Sequence, residues 1–194
     1  MEYNIIFAGV GGQGIITLGK LIGSALTRQS LNVLMAETHG LSQRGGSVIV
    51  HMRIGDVKSP LVPMGEADLL VGLEMIEAVR NLGFLSESGL KVVNDYIIRP
   101  SVPNVKLPHR NDLIRELESI GGPTYLARFT DLAMELGNPI YTNVIVLGAI
   151  TSLGVVPKLT YDKAIEIVKG LRDSENNLRA FDMGYNLLKE VGVG

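Results

Sequence analysis

Residues 3–14 read Tyr-Asn-Ile-Ile-Phe-Ala-Gly-Val-Gly-Gly-Gln-Gly, an apolar run that breaks into four glycines. The length and the β-branched and aromatic content of residues 3–8 predict a buried strand. Apolar side chains then return at helical spacing, at positions 15, 18, 22, 25 and 26. Gly9, Gly11 and Gly14 fit the G-x-G-x-x-G pattern between these two elements. The stretch therefore predicts a strand, a glycine turn and a helix, a unit that binds phosphate groups at the helix N-terminus.

This glycine turn has two interpretations. In the functional one, backbone N–H groups face an anion, and the Gln13 side chain donates or accepts toward a ligand without adding charge. In the other, the chain turns tightly from strand to helix and glycine only permits close packing. The pattern alone does not decide whether a ligand at this turn is a dinucleotide.

The composition limits the class of protein. A chain of 194 residues with a formal net charge of −2 predicts a single domain, residues 1–194, that buries its own core. Charged residues make up 20% of the chain, which gives no electrostatic footprint for nucleic acid. The apolar fraction of 46% and the mean hydropathy of +0.25 favour an apolar surface that lies against a partner subunit. A sheet covered on both faces is the alternative explanation.

The absence of cysteine excludes several chemistries. Without a thiolate, this chain cannot hold an iron–sulfur cluster, form a disulfide or use a cysteine nucleophile. Its histidines, His39, His51 and His109, are scattered, and no metal-ligand spacing occurs, so we expect no metal site. The chain opens on a strand pattern rather than on a basic segment followed by an apolar one, so a cytoplasmic location is expected.

Residues 136–157 carry no charge but do not predict a membrane span. Gly137, Pro139, Gly148 and Gly154 interrupt the apolar positions, and the apolar part is too short to cross a bilayer. Asn138-Pro139 is a typical helix start and Gly154 a typical residue after a helix end. The segment predicts a buried core helix of about three or four turns, and no membrane association.

Strand and helix patterns alternate along the chain. The strand pattern occurs at residues 3–8, 32–36, 45–54, 68–72, 90–94 and, in a short form, 124–126. The helix pattern occurs at residues 15–26, 74–82, 111–120 and 127–136. Two more helices follow: one has Thr160 as its N-cap and ends at Gly170, and the other is capped by Ser174 and ends near Gly192. Residues 97–108 hold three prolines and predict an irregular connection or an extended edge. The order predicts an α/β fold, a single doubly wound, mostly parallel, Rossmann-like sheet with a helical C-terminal third.

The most unusual segment, residues 37–47, reads Glu-Thr-His-Gly-Leu-Ser-Gln-Arg-Gly-Gly-Ser. It follows the second predicted strand, at the sheet edge where open α/β sheets bind ligands, beside the glycine turn. Arg44 offers a planar fork for a phosphate or carboxylate, and Gly45-Gly46 can present successive N–H groups to an anion. His39 is a candidate to titrate or to hydrogen-bond there. The alternative is an ordinary β-turn with a surface arginine.

Glu37 also has two interpretations. In a dinucleotide-binding fold, an acidic residue at the end of the second strand accepts hydrogen bonds from ribose hydroxyls. Otherwise Glu37 is a strand-end carboxylate that pairs with Arg44 or Arg53.

Other polar residues are weaker candidates. Glu74 suits the first turn of a helix, where a carboxylate interacts favourably with the helix dipole, although it could also face the cleft. Asn94 ends a strand at the same edge. Asn143 is either a polar group at a helix N-terminus or a cleft residue. His51 lies within a strand pattern and is expected to be structural, and His109 is expected to be exposed.

Four blocks together carry a family resemblance: residues 9–14, residues 37–47, Arg53-Ile-Gly-Asp56 and Gly65-Glu-Ala-Asp68. They resemble the gamma subunit or domain of the 2-oxoacid:ferredoxin oxidoreductases, the pyruvate/ketoisovalerate family, and within it most closely the subunit paired with arylpyruvate (indolepyruvate) enzymes. The Gln-Arg-Gly-Gly block is more specific than the glycine turn, and the resemblance spans nearly the whole chain. These enzymes decarboxylate a 2-oxoacid on thiamine diphosphate, pass electrons through iron–sulfur clusters to ferredoxin and release an acyl-CoA.

The resemblance implies a division of labour. Thiamine diphosphate, Mg and the iron–sulfur clusters belong to partner subunits, and this chain alone holds no cofactor. The gamma-type domain docks on the thiamine-bearing subunit and helps form the coenzyme A side of the site; ferredoxin is reached through the complex, and a homodimer contact is compatible with the sequence. No catalytic residue is implied. The residues implied for binding are Gly9, Gly11, Gly12, Gln13, Gly14, Glu37, His39, Gln43, Arg44, Gly45 and Gly46.

Two other functions remain open from the sequence. One is a stand-alone NAD(P)- or FAD-binding oxidoreductase, suggested by the glycine turn and Glu37, although the chain shows no evident Tyr-x-x-x-Lys or His/Asp pair for proton transfer. The other is a nucleotide-sensing regulatory module.

Overall fold

Six strands form the central sheet of the computed structural model, which describes residues 2–39, 45–99 and 105–189. In chain order they are β1 (Glu2–Val10), β2 (Val33–His39), β3 (Ser47–Gly55), β4 (Ala67–Gly72), β5 (Leu85–Asn94) and β6 (Thr124–Ala127). Their order across the sheet is β2-β3-β1-β4-β5-β6. β1, β4, β5 and β6 run parallel, whereas β3 is antiparallel to both of its neighbours.

Helices cover both faces of this sheet. They are α1 (Ile15–Thr27), α2 (Met75–Arg80), α3 (Arg110–Ser119), α4 (Phe129–Glu135), α5 (Thr142–Leu153), α6 (Tyr161–Val168) and α7 (Ser174–Lys189). Because successive side chains of a strand point to opposite faces of the sheet, β1 contributes side chains to two hydrophobic cores. Ile5 and Phe7 lie in the larger core with α1 and α4–α7, and Ile6 and Ala8 lie in the smaller one with α2 and α3. The predicted doubly wound α/β fold with a helical C-terminal third is confirmed.

The position of β3 differs from a Rossmann sheet, in which the second strand lies directly beside the first. Here β3 pairs with β2 as a hairpin, from Val33 opposite Ile54 to His39 opposite Val48, and separates β2 from β1. The segment between β2 and β3 is too short for a crossover to a parallel strand, which needs about a dozen residues or more. The sheet is therefore mixed, with β3 as the antiparallel strand among the six.

Two predicted boundaries shift for identifiable reasons. β5 begins at Leu85 rather than at 90, although Ser-Glu-Ser-Gly reads as a turn. Gly89 lies so close to β4 that a Cβ there would be 2.4 Å from the Ala67 carbonyl oxygen, so its glycine permits strand pairing rather than a turn. The final helix begins at Ser174 itself instead of being capped by that residue.

The predicted core helix is confirmed as α5. A 3₁₀ turn, Pro139–Tyr141, leads into it, and left-handed Gly154 ends it. Its residues 142–151 are all buried, and α5 crosses α7 at close range in the larger core. In the described part of the chain, no helix has both the length and the apolarity needed to cross a bilayer.

The chain leaves neighbouring strands β1 and β4 toward opposite faces of the sheet. α1 follows β1 into the larger core, and α2 follows β4 into the smaller one. Such a switch between adjacent parallel strands opens a crevice at their carboxyl ends, where α/β proteins bind ligands.

Candidate functional site

A cleft of about 760 Å³ occupies this crevice, beyond the carboxyl ends of β1, β4 and β5. The described residues that line it carry no charge, and they include glycines, neutral amides, threonines and apolar side chains. They are Gly11, Gly12, Gln13, Gly14, Thr17, Tyr96, Ile98, Thr130, Asn138, Pro139, Ile140, Thr142 and Asn143. The structure thus brings four of the predicted glycine-turn residues to one cleft.

Gln13 fastens the glycine turn instead of offering its amide to a ligand. Its Oε1 accepts a hydrogen bond from the Val10 amide at 2.8 Å, and its Nε2 donates to the Leu73 carbonyl oxygen at 2.8 Å. Gly9 lies within β1, and a Cβ there would be 2.5 Å from Ile15 Cδ1, so this glycine serves packing. For Gly9 and Gln13, the geometry supports the packing interpretation of the turn.

The N-terminus of α1 has a different character. Gly14 is its N-cap in a left-handed conformation (φ 79°), and among the described residues no side chain caps the helix. The first intrahelical bond runs from the Leu18 amide to the Gly14 carbonyl at 2.9 Å, so the amides of the first turn have no partner within the helix. No acidic residue occupies that turn. The positive end of the α1 dipole therefore meets the cleft, and no side chain of the described residues caps it.

The other helices that begin at this edge of the sheet are capped by side chains of the protein. Glu74 caps α2 by accepting the Glu77 amide at 2.8 Å. Asn94 Oδ1 accepts the Thr130 amide of α4 at 3.2 Å, and Asn138 caps the 3₁₀ turn before α5. The predicted helix-start role of Glu74 is confirmed, and Asn94 is a buried structural residue whose Nδ2 donates to the Leu73 carbonyl at 3.0 Å.

Asn143, which the sequence left between two interpretations, lies in the cleft wall. It belongs to the first turn of α5, is 6% exposed and packs on Gly14 so closely that a Cβ there would be 2.8 Å from Asn143 Nδ2. Gly14 is therefore required by its positive φ and by this contact.

The second predicted glycine turn lies against the first one. The Gly11 amide donates to the Gly46 carbonyl at 2.9 Å, and Gly45 is left-handed (φ 72°). One residue later, Ser47 Oγ donates to the buried Glu77 carboxylate at 2.6 Å, which ties the turn to α2. Gln43 and Arg44 lie outside the described residues, as does the His39 side chain; the backbone of His39 ends β2.

Glu37 is placed away from the glycine turn. It lies near the end of β2 with an exposed side chain, and β3 separates its strand from β1. Two strand spacings amount to about 10 Å, so Glu37 lacks the position that binds ribose in a dinucleotide fold. Arg53, one of its proposed ion partners, pairs with Glu2 at 3.0 Å and donates to Asn4 Oδ1.

Burial shifts the pKa of two groups: Glu74, which is bonded to the cleft residue Ile98, and His51, in the middle of β3. Burial raises the pKa of Glu74, while its hydrogen bonds from the Glu77 and Ile98 amides act in the opposite direction. Burial lowers the pKa of His51, whose Nδ1 accepts the Val62 amide at 3.2 Å. The predictions of a structural His51 and an exposed His109 are confirmed.

Sequence patterns missed part of the cleft wall. Tyr96 and Ile140 lie at its mouth and are 39% and 68% exposed, and Thr130 lines it from α4. Tyr96 follows the strand that ends at Asn94, which is the signal that could have placed it there. Ile140 carries no such signal, because the 3₁₀ turn that exposes it reads as part of the helix.

The chain is similar to known proteins along nearly its whole length. The family model described as "Pyruvate ferredoxin/flavodoxin oxidoreductase" matches residues 4–187. The indolepyruvate oxidoreductase subunit IorB of Archaeoglobus fulgidus is 40% identical over 191 residues, which cover 96% of this chain and 95% of that protein. The IorB subunit of Thermococcus kodakarensis is 36% identical and covers 98% of each. The 2-oxoglutarate synthase subunit KorC of Archaeoglobus fulgidus is 27% identical over 98% of this chain and 90% of that protein.

Solved structures share the fold. The gamma subunit of a keto/oxoacid ferredoxin oxidoreductase from Geobacter sulfurreducens matches with a TM-score of 0.69 and 27% identity, covering 95% of this chain and 96% of that one. A 2-oxoglutarate:ferredoxin oxidoreductase from Magnetococcus marinus, solved with 2-oxoglutarate, coenzyme A and succinyl-CoA, matches with a TM-score of 0.71 and 22% identity. The match covers 98% of this chain but 31% of that longer chain, so the same fold occurs there as one part of a larger polypeptide.

Proposed function

The chain belongs to the pyruvate ferredoxin/flavodoxin oxidoreductase family, and we propose that it is the gamma-type subunit of a 2-oxoacid:ferredoxin oxidoreductase complex. The observation that carries this proposal is the 40% identity to an indolepyruvate oxidoreductase subunit over nearly the full length of both chains. In this proposed complex, residues 1–194 act as a single domain. We propose a cytoplasmic location for the complex. The complex converts a 2-oxoacid, an arylpyruvate first among the candidates, into an acyl-CoA and passes electrons to ferredoxin.

The chemistry of this chain supports placing the redox cofactors on its partner. Fe–S clusters need thiolate ligands, and the chain has no cysteine. Among the described residues, no three His, Asp or Glu side chains are grouped to hold a metal ion. In the proposed complex, the partner therefore holds thiamine diphosphate with its Mg and the clusters.

Coenzyme A, by contrast, suits the cleft of this chain. Its phosphates are anions, and the open N-terminus of α1 presents N–H donors and the positive end of a dipole. The Gly11–Gly46 hydrogen bond sets the second glycine turn beside the first. We assign the two turns, with Gln43, Arg44 and His39 on the adjoining segment, to one anion-binding surface, the anion-handling face. Gln13 and Gly9 stabilise this face through hydrogen bonds and packing. No residue of this chain is assigned a catalytic role.

The residues at the mouth of the cleft fit a surface that a partner protein covers. Tyr96 and Ile140 expose apolar side chains beside the cleft, and a partner that buried them would exclude water from the ligand. In the Magnetococcus marinus enzyme, the same fold shares one chain with a larger remainder. We therefore propose that the catalytic subunit, rather than a second copy of this chain, covers the cleft; a homodimer contact would lie on another surface.

A co-purification experiment tests the subunit assignment. The tagged chain is expressed together with the candidate thiamine- and cluster-bearing catalytic subunit from the same organism and isolated through the tag. We expect a stable complex that reduces ferredoxin with a 2-oxoacid and coenzyme A, and no activity from either protein alone. A catalytic subunit that does not bind the tagged chain would contradict the proposal.

The stand-alone NAD(P)- or FAD-binding oxidoreductase is not favoured, because the relatives are subunits of oxoacid oxidoreductases and β3 separates Glu37 from the glycine turn. Calorimetric titration of the chain with NADH checks this directly, with no binding at micromolar concentrations as the expected result. Tight binding, or turnover by the chain alone with NAD(P), would restore that alternative.

A further inference from the structure

Glu77 carries a buried carboxylate that joins α2 to the second glycine turn, Gly45-Gly46. The residue lies in the first turn of α2 and is 5% exposed. Its Oε1 accepts a hydrogen bond from Arg80 Nη1 at 2.9 Å, and its Oε2 accepts one from Ser47 Oγ at 2.6 Å. Arg80 belongs to α2 itself, so within the described part of the chain Ser47 is the one residue outside this helix that bonds to the carboxylate.

Stability alone does not account for this buried charge. Removing a carboxylate from water costs free energy, and an apolar side chain of similar volume is often as stable or more stable in its place. The ion pair with Arg80 offsets little of this cost, because the arginine side chain is 65% exposed. The hydrogen bond from Ser47 is the contact that needs an acceptor at this position, which indicates a role in placing Ser47.

The second glycine turn is held by hydrogen bonds rather than by packing. Ser47 forms the last pair of the β1–β3 ladder, and the Gly46 carbonyl accepts from the Gly11 amide at 2.9 Å. Gly45 is exposed and left-handed (φ 72°), and a Cβ there would have no described atom within 4 Å. The position of the turn therefore depends on the bonds of Gly46 and Ser47, and the side-chain bond of Ser47 ends on Glu77.

We infer that Glu77 is a positioning residue for coenzyme A: through Ser47 it holds the second glycine turn against the first one, at the Gly11–Gly46 hydrogen bond. Glu77 is absent from the described residues that line the cleft, so it acts through the turn and not on the ligand. A turn that is already in place loses less conformational freedom when a ligand binds, which raises the affinity. The inference rests on the proposed function for the ligand, whereas the position of the turn is a property of this chain alone.

Hydrogen exchange of the Gly11 amide, measured by NMR on the full-length chain without a partner, tests the positioning. Ser47→Ala removes the donor, and Glu77→Met removes the acceptor with a side chain of similar length. We expect either substitution to loosen the Gly11–Gly46 bond and to speed exchange of the Gly11 amide about tenfold, the effect of losing one hydrogen bond to a charged group. Unchanged exchange in either variant would overturn the inference.

Two controls separate this effect from general destabilisation. The Leu73 amide donates to the Ala8 carbonyl at 2.9 Å at the same edge of the sheet, and its exchange should stay constant in both variants. Ser152→Ala removes a half-buried serine hydroxyl that bonds to the Ala149 carbonyl of its own helix, and it should leave exchange of the Gly11 amide unchanged. Equal acceleration at Gly11 and Leu73 would show global loosening and contradict the positioning role.

Steady-state kinetics of the assembled complex test the consequence for the ligand. We expect Ser47→Ala and Glu77→Met to raise the KM for coenzyme A about tenfold and to leave kcat at saturating coenzyme A unchanged, as when binding but not chemistry is weakened. Ser47→Thr keeps the hydroxyl and should restore the wild-type KM. An unchanged KM in the first two variants, or no rescue by threonine, would contradict a role in coenzyme A binding.

The double variant distinguishes positioning from a direct contact between Ser47 and the ligand. In the Glu77→Met background, Ser47→Ala should raise the KM no further, because both substitutions remove the same interaction. A second rise of the same size would mean that Ser47 binds the ligand itself, and would overturn the inference. If Glu77→Met does not fold, Glu77→Gln, with its neutral and weaker acceptor, takes its place: Ser47→Ala should then raise the KM less than in the wild type, and an equal rise would count against positioning.

These outcomes are separable from the subunit assignment. An active complex in which neither variant changes the KM for coenzyme A contradicts this inference alone. A chain whose Gly11 amide responds as expected, but which does not assemble with the catalytic subunit, contradicts the proposed function and leaves the link between Glu77 and the turn in place.

Discussion

At the residue scale, the amide of Gln13 ties the glycine turn to the end of β4. It accepts from the Val10 amide and donates to the Leu73 carbonyl, and the same carbonyl accepts a second bond from Asn94. Three strand ends are thereby fixed around one oxygen atom, which holds the floor of the cleft in place before a ligand arrives.

Removal of this amide should therefore destabilise the fold. In Gln13→Ala the Val10 amide loses its acceptor in a partly buried turn, and we expect the free energy of unfolding to fall by about 1–3 kcal/mol. Urea denaturation measures the change. Thr27→Ala provides a control, since Thr27 Oγ1 bonds only to carbonyls of its own exposed helix turn. A Gln13→Ala protein as stable as the wild type would show that the amide is dispensable, and its assignment to ligand binding would return.

Arg44 is proposed from the sequence alone, as the cation of the anion-handling face. We expect Arg44→Ala to raise the KM for coenzyme A, or to lower the turnover, of the assembled complex while the melting temperature stays unchanged, since a residue that acts on the ligand rather than in core packing contributes little to stability. Steady-state kinetics of the complex measure this. Arg28→Ala removes an exposed pair with Glu166 at the C-terminal end of α1, away from the glycine turn, and serves as the control. Unchanged kinetics of Arg44→Ala would make this segment an ordinary surface turn.

Sequence patterns located the turn residues but not the roles of their side chains. The G-x-G-x-x-G spacing correctly gave Gly14 as a special backbone position, because glycine is the residue for a left-handed N-cap. Gln13 and Glu37 could not be resolved in the same way. Their contacts depend on Leu73, which is distant in the chain, and on the strand that lies beside β2.

At the element scale, α5 and α7 cross with their backbones nearly in contact. A Cβ on Gly148 would be 2.0 Å from the Phe181 carbonyl oxygen, and one on Gly184 would be 1.8 Å from the Ile145 carbonyl oxygen. Both glycines are thus required by the neighbouring helix, and the crossing fixes α5, which carries Asn143, against the rest of the larger core.

Replacing either of these glycines with alanine should destabilise the protein, although alanine ordinarily stabilises a helix relative to glycine. Gly→Ala within a helix ordinarily stabilises by about 0.5–1 kcal/mol. We expect Gly184→Ala to lower the melting temperature sharply, since the new methyl group meets backbone that cannot move aside. Gly23→Ala in α1 is the matched control, because its Cβ would make ordinary contacts at 3.7 and 3.8 Å, and it should raise the melting temperature. Similar effects of the two substitutions would contradict the close crossing.

Glu74 caps α2 with a buried carboxyl group, whose ionised form is destabilised by burial. Burial raises its pKa above the ordinary 4.5, so the folded protein holds this proton to a higher pH than the unfolded chain does. The contribution of this group to stability must then decrease as the pH rises through and above 4.5. Glu74→Gln cannot ionise. We expect its free energy of unfolding, relative to the wild type, to increase between pH 4 and pH 8 in urea denaturation; a difference that is constant or decreases would contradict the raised pKa.

At the scale of the whole molecule, local patterns predicted the elements and could not predict their order in the sheet. Each strand and helix is recognisable from its own apolar spacing, so the doubly wound α/β class followed. The insertion of β3 between β2 and β1 depends on pairing between distant segments. The link of residues 40–46 is too short for a crossover to a parallel strand. Its length was the feature of the sequence that could have indicated the antiparallel pairing of β3.

The same scale explains why the cleft was only partly predicted. Part of its lining is the glycine turn that follows β1, which the sequence predicted, but its wall comes from the 3₁₀ turn before α5 and from Asn143. These meet the glycine turn only through the packing of α5 against the larger core. The position of a residue such as Ile140 is therefore a property of the tertiary fold.

The central claim is the proposal that this chain is a required subunit of an oxoacid oxidoreductase whose thiamine diphosphate and clusters are held by a partner. The most direct test titrates the purified catalytic subunit with this chain and follows ferredoxin reduction by a 2-oxoacid in the presence of coenzyme A. We expect the rate to start near zero and to saturate at a fixed ratio of the two proteins. A catalytic subunit that is fully active without the chain, or a rate that does not change as the chain is added, would contradict the account.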